Sequence, residues 1–179
     1  MSDYGIVTAA DTVRFERLLP GPIERVWAFL TESDKRARWL ASGPMELRVG
    51  GGVELVFRNS ELSSSPEVIP DKYRKYQDGA GFTATVTRCE PPRLLSHTWG
   101  GNKGEESEVT YELTPQGDRV RLVLTHRRLG GRAVMLSVSG GWHTHLDILV
   151  AQLEDRTPGP FWTTFGRLET EYETRLQAG

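Results

Sequence analysis

Between Val53 and Arg128 the sequence carries five short runs in which apolar and polar residues alternate, and a stretch of helical period follows them. Period two sends successive side chains to opposite faces of a strand, while a period near 3.6 lays an apolar stripe along a helix. Many strands followed by one long helix leave few solutions: a sheet must bury one face, and the helix is what it can bury it against. The runs are Val53–Asn59, Phe82–Cys89, Leu94–Trp99, Glu108–Thr114 and Val120–Arg128. Pro91-Pro92, the Gly100–Gly104 segment and Gln116-Gly117-Asp118 punctuate them as turns. No crossover helix is legible between the runs, so the expected sheet is antiparallel.

Upstream, Thr12–Leu19 alternates and reads as a first strand that ends at Pro20-Gly21-Pro22. Ile23, Val26, Trp27 and Leu30 then recur at helical spacing to about Thr31, and Ser33 is placed to cap a second short helix, Asp34–Leu40. Met45, Leu47 and Val49 predict a brief strand before the Gly50-Gly51-Gly52 turn, which makes seven strands in all. Residues 60–79 break every periodicity and predict a long loop, a segment type that is usually mobile or functional in a compact domain. Downstream, Val134, Val138, Trp142, Leu146, Leu149 and Leu153 define one apolar helical face, with a bend or late start allowed at Gly140-Gly141. After the Thr157–Pro160 breaker, residues 161–177 predict a terminal amphipathic helix on Phe161, Phe165, Leu168, Tyr172 and Leu176. The fold class is α+β.

Composition narrows the function classes. A length of 179 residues suits a single domain over residues 1–179, and a net charge of −2 lacks the basic footprint of a nucleic-acid binder. One cysteine, Cys89, closes no internal disulfide and builds no thiolate zinc cage. No apolar run is long enough to span a bilayer, and the first residues lack the pattern of a signal peptide, so a cytoplasmic protein is expected.

Several segments together carry a resemblance: Pro22–Thr31 with Trp39 and Gly50-Gly51, Cys89–Trp99, Ser107–Thr114 through Thr125-His126, and Gly141-Trp142 with Leu146 and Leu149. In these the chain resembles proteins similar to the activator of the ninety-kilodalton heat-shock-protein ATPase, within the START-like, or SRPBCC, superfamily. The resemblance implies a helix-grip fold, a curved seven-stranded antiparallel sheet around a long C-terminal helix, with two short helices after the first strand. It also implies an elongated apolar cavity between sheet and helix that holds a small hydrophobic molecule. Periodicity alone fits a filled core equally well. The alternatives from the same relatives are a protein-binding module, with a chaperone or a second copy as partner, and an enzyme of cyclase or dehydratase type. Neither a membrane nor a nucleic acid is expected as a partner.

The residues that could serve such a cavity follow from parity and chemistry. His97 shares strand parity with Leu95 and Trp99, and His126 with Leu124, so both are expected on the concave face as polar anchors for a ligand. His145 borders the apolar helical stripe and either points into the pocket or is hydrogen-bonded at the core's edge. His143 and His145 lie two apart on a helix, point in different directions and cannot share an ion, so no metal and no cofactor are expected. Trp39, Trp99 and Trp142 sit on three elements around the expected cavity, as does Phe57, and each suits its lining or ordinary core. Tyr73 and Tyr76, aromatics in a polar loop, are candidates for a lid over one mouth. Trp162 packs the terminal helix on the body or on a partner chain.

Overall fold

The computed structural model describes residues 2–102 and 104–176. Seven strands form one antiparallel sheet: β1 (Ile6–Ala9), β2 (Thr12–Pro20), β3 (Gly52–Phe57), β4 (Ala80–Glu90), β5 (Leu94–Trp99), β6 (Ser107–Gln116) and β7 (Arg119–Arg127). Their order across the sheet is β1-β2-β7-β6-β5-β4-β3. Two short helices, α1 (Ile23–Thr31) and α2 (Ser33–Arg36), follow β2, and the long helix α3 (Arg132–Leu153) is succeeded by α4 (Phe161–Arg175). The sheet curves over α3, which is the helix-grip arrangement.

Alternation explains which face is buried. Val13, Phe15 and Leu19 of β2 meet Val120, Leu122 and Leu124 of β7 on the concave face, and Leu146 and Leu149 of α3 close over them. Side chains within such a core bring on the order of 1.5–3 kcal/mol each, which is why the pattern dictates the layer order. One cross-strand row on this face reads Val86, His97, Val109, His126, Val13. Both histidines therefore lie on the concave face, as their parity predicts, and both are buried.

The strand count agrees with the sequence reading, but one strand is exchanged for another. Met45–Val49 is not a strand: only isolated bridges, Ser42 to Val56 and Met45 to Val53, form there. Leu47 and Val49 are exposed, so that alternation had no surface to bury. The seventh strand is β1, four exposed residues with no periodic signal, held as an edge against β2. Ser33 does not cap α2; its Oγ accepts the Gly43 N–H at 2.8 Å, and the helix stops at Arg36 so that Trp39 and Leu40 turn into the core.

Two further departures concern the helices. α3 runs unbroken through Gly140-Gly141, and its first apolar position, Val134, faces solvent. It is buried on more than one side because the sheet covers one flank and α4 another. The last residue expected in the terminal helix, 177, lies outside the described residues. Within residues 60–79, the segment Asp71–Tyr76 winds into 3-10 turns and buries Tyr73.

Candidate functional site

A cavity of about 470 Å³ lies between the open end of the sheet, α3, α4 and the Asp71–Tyr76 turns. The sheet contributes Phe57, Phe82 and Trp99, and α3 contributes Val138, Trp142 and His145. Phe161, Trp162 and Phe165 of α4 close a third side, with Tyr73 and Tyr76 above them. The aromatic rings touch in sequence around the wall. Trp142 is 4.9 Å from Trp99, Trp99 is 5.7 Å from Phe57, Phe57 is 6.2 Å from His145, and His145 is 5.1 Å from Phe161, centroid to centroid. Tilted and edge-on rings at these spacings stabilise one another beyond simple burial.

The histidines are held in defined tautomers, because a carbonyl can only accept and an indole N–H can only donate. His145 Nδ1–H donates to the Trp39 carbonyl at 2.7 Å, which leaves the Nε2 lone pair without a partner among the described residues, on a residue that lines the cavity. Trp142 Nε1–H donates to His126 Nδ1 at 2.9 Å, so His126 Nε2–H faces Ser107 Oγ at 2.7 Å. Ser107 in turn donates to the Trp99 carbonyl at 2.9 Å. This relay ties together the α3 and β5 walls of the cavity. His97 Nδ1–H donates to the Thr98 carbonyl at 2.8 Å, and the Tyr111 hydroxyl donates to its Nε2 at 3.2 Å.

Burial keeps all three rings neutral. Desolvation pulls His145 down to about 4, His97 to about 4 and His126 to about 3. Asn59 Oδ1 is a buried acceptor with no hydrogen-bond partner among the described residues, and Asn59 borders the cavity. The charged groups Lys72, Lys75 and Glu169 belong to the turns and to α4, while the walls from sheet and α3 carry none.

The roof is built by the long loop and the terminal helix acting on each other. Tyr73 stacks on Trp162 at 5.2 Å and donates its hydroxyl proton to Glu169 Oε1 at 2.7 Å. Lys72 Nζ reaches the same oxygen at 2.6 Å, and hydrogen bonding to that carboxylate raises the Lys72 ammonium above its usual range. Glu67 Oε1 accepts both the backbone N–H and the hydroxyl of Thr163, and Trp162 Nε1–H donates to Ser60 Oγ. The far side of α4 is held by the N-terminal segment, where the Gly5 N–H donates to the Tyr172 hydroxyl at 2.7 Å.

Of the residues singled out from sequence, Phe57, Tyr73, Tyr76, Trp99, Trp142 and His145 line the cavity. Trp39, His97 and His126 stand behind its wall: Trp39 is fully buried, its Nε1–H donates to the Phe29 carbonyl, and its own carbonyl accepts from the cavity-lining His145. Sequence reasoning missed Phe82, Phe161, Phe165 and Asn59. Phe161 and Phe165 were visible as the apolar face of the last helix, and nothing in that periodicity says that the face covers a void. Trp162 packs on the body of the protein.

No curated protein matches this chain. Among solved structures it is similar to the protein encoded by gene BPP1335 of Bordetella parapertussis, with 50% identity over 97% of this chain and 91% of that one, at a TM-score of 0.82. CalU16 of Micromonospora echinospora shares the fold at 21% identity, 91% and 86% coverage and a TM-score of 0.64. DynU16, described as a putative protein in the dynemicin biosynthetic locus, shares it at 22% identity and a TM-score of 0.61, over 85% of this chain and 50% of its own. The family model for Activator of Hsp90 ATPase homolog 1-like protein matches residues 20–154, from the end of β2 through α3, and the chain belongs to that family.

Proposed function

We propose that the protein binds one small, largely apolar, uncharged molecule in the cavity beneath the α4 roof. The observation that carries this reading is a partly open cavity of about 470 Å³ walled largely by aromatic rings, beside a neutral histidine whose Nε2 has no partner among the described residues. An apolar cleft of this size leaves its aromatic lining in contact with water, and a bound apolar molecule would cover that surface. Aromatic rings supply flat apolar area at low entropic cost, and one lone-pair acceptor orients a ligand that carries a hydroxyl or N–H. The neutral acceptor and the charge-free walls from the sheet and α3 favour an uncharged ligand where it meets them, while Lys72, Lys75 and Glu169 stand on the side of the turns and α4. The absence of disulfides and the single thiol, Cys89, favour the cytoplasm as its place of action.

Native mass spectrometry of freshly purified protein, followed by extraction, tests the reading directly. The expected result is a bound molecule, or saturable uptake of the neutral fluorophore N-phenyl-1-naphthylamine by the emptied protein. Val138→Trp, which adds an indole to the cavity wall, should abolish uptake while leaving the melting temperature within a few degrees. Uptake unchanged by Val138→Trp would place the probe elsewhere and overturn the proposal.

A further inference from the structure

A second cleft, of about 660 Å³, lies on the opposite flank of α3, between β2, the 154–160 connection and α4. Its unusual member is Arg17, at a core-facing position of β2 between Phe15 and Leu19, with its side chain only 4% exposed. A buried guanidinium normally spends its donors on carbonyls or carboxylates, since a charge taken out of water without partners is costly. Arg36 shows the structural pattern in this same protein. Its Nε, Nη1 and Nη2 donate to the carbonyls of Ala41, Leu30, Thr31 and Gly43.

Arg17 does not follow it. Nη1 donates to the Glu16 carbonyl at 2.9 Å, but Nε and Nη2 are buried with no hydrogen-bond partner among the described residues. Those two groups form one edge of the guanidinium, the edge that holds a carboxylate or phosphate through two parallel bonds. Asp147 is its ion-pair partner, with Oδ1 3.5 Å from Nη2, at the limit of a hydrogen bond, and its other oxygen is 3.7 Å from His143 Nε2. Asp147 is 43% exposed and lines the cleft, so its side chain can turn to solvent and uncover the edge. Arg156 and Arg167 stand at the rim with their charges paired to Glu154 and Glu171, beside Asp3 and Asp147, while Leu18, Ile148 and Pro160 supply apolar wall.

We infer that the Nε/Nη2 edge of Arg17 is the seat of an oxyanion site, taking the carboxylate or phosphate group of a small metabolite once Asp147 swings aside. The site is separate from the aromatic cavity and does not depend on what that cavity holds.

The test follows the Arg17 side-chain Nε–H resonance in labelled protein during titration with butyrate, inorganic phosphate or chloride at constant ionic strength. A saturable shift with butyrate identifies a carboxylate source and one with phosphate a phosphoryl source; chloride should give none. Asp147→Asn removes the competing anion and should tighten binding about tenfold, and Arg17→Lys should abolish the saturable shifts of the Thr144 and Thr164 amides. Shifts that stay linear and match chloride in both wild type and Asp147→Asn would overturn the inference. So would saturable binding that survives in Arg17→Lys.

Discussion

The relay from Trp142 through His126 and Ser107 to the Trp99 carbonyl has one direction only, and each member depends on its neighbours for its proton placement. Ser107→Ala would leave the buried His126 Nε2–H without an acceptor, a loss worth about 1–3 kcal/mol. We expect urea unfolding to show that loss at an unchanged slope, together with a shift in tryptophan emission as Trp99 and Trp142 loosen. The same burial makes the protein acid-sensitive. His97, His126 and His145 have folded values near 4, 3 and 4, and desolvation also pulls His143 down to about 4. An unfolded histidine titrates near 6.5, so between the two values the unfolded chain binds more protons and stability rises with pH. Stability is therefore complete above about pH 6.5 and is lost as pH falls toward the folded values, at on the order of 3 kcal/mol for each of His97, His126 and His145 once titrated and less for His143, which lies nearer to solvent. The melting temperature should be flat at neutral pH and fall steeply between pH 6 and 4, before most carboxylates titrate. Parity placed His97 and His126 on the concave face correctly. It did not reveal that they stand behind the cavity wall, because depth along a strand depends on where α3 and its Trp142 cross the sheet.

At the scale of elements, the glycine pair in α3 has a packing role that a sequence reads as flexibility. A Cβ on Gly140 would sit 3.5 Å from the Glu169 backbone of α4 and 3.6 Å from Phe165, an ordinary contact with no space beyond it. Gly140→Ala should therefore stabilise the protein by about 0.5–1 kcal/mol through helix propensity, read as a higher melting temperature. Gly140→Leu has no room against the Glu169 backbone, so it should push α4 away, increase the exposure of Trp162 and weaken probe binding. Helix α4 itself was legible from its apolar repeat, as were α1, α3 and most strands, since each has a face to bury. β1 and the Met45–Val49 segment were misread for one shared reason: neither contributes a buried face, so tertiary pairing at the edge decides between strand and loop.

On the scale of the whole molecule, the family match ends with α3, yet the cavity is roofed by α4, which lies beyond it, and by the 60–79 segment within it. Each of these two pieces needs the other: Tyr73 stacks on Trp162, and Glu67 caps the start of α4. Deleting α4 would be a poor test of the roof. It carries the buried Phe161, Trp162, Leu168 and Tyr172, whose burial brings on the order of 6–12 kcal/mol, comparable to the whole stability of a domain. A test that spares the core must loosen the contact between the pieces. The Lys72–Glu169 pair is screened at its exposed end, with Lys72 60% exposed, whereas Tyr73 is nearly buried against two rings of α4. The stack should therefore hold the roof more firmly than the ion pair does. Glu169→Gln should raise the dissociation rate of N-phenyl-1-naphthylamine only about two- to threefold, with less effect at high salt. Tyr73→Ala should raise it tenfold or more at any salt concentration, while the sheet's circular dichroism stays unchanged. Stopped-flow displacement measures both, and equal rates in the two variants would mean that ligand leaves by a path that does not lift this roof.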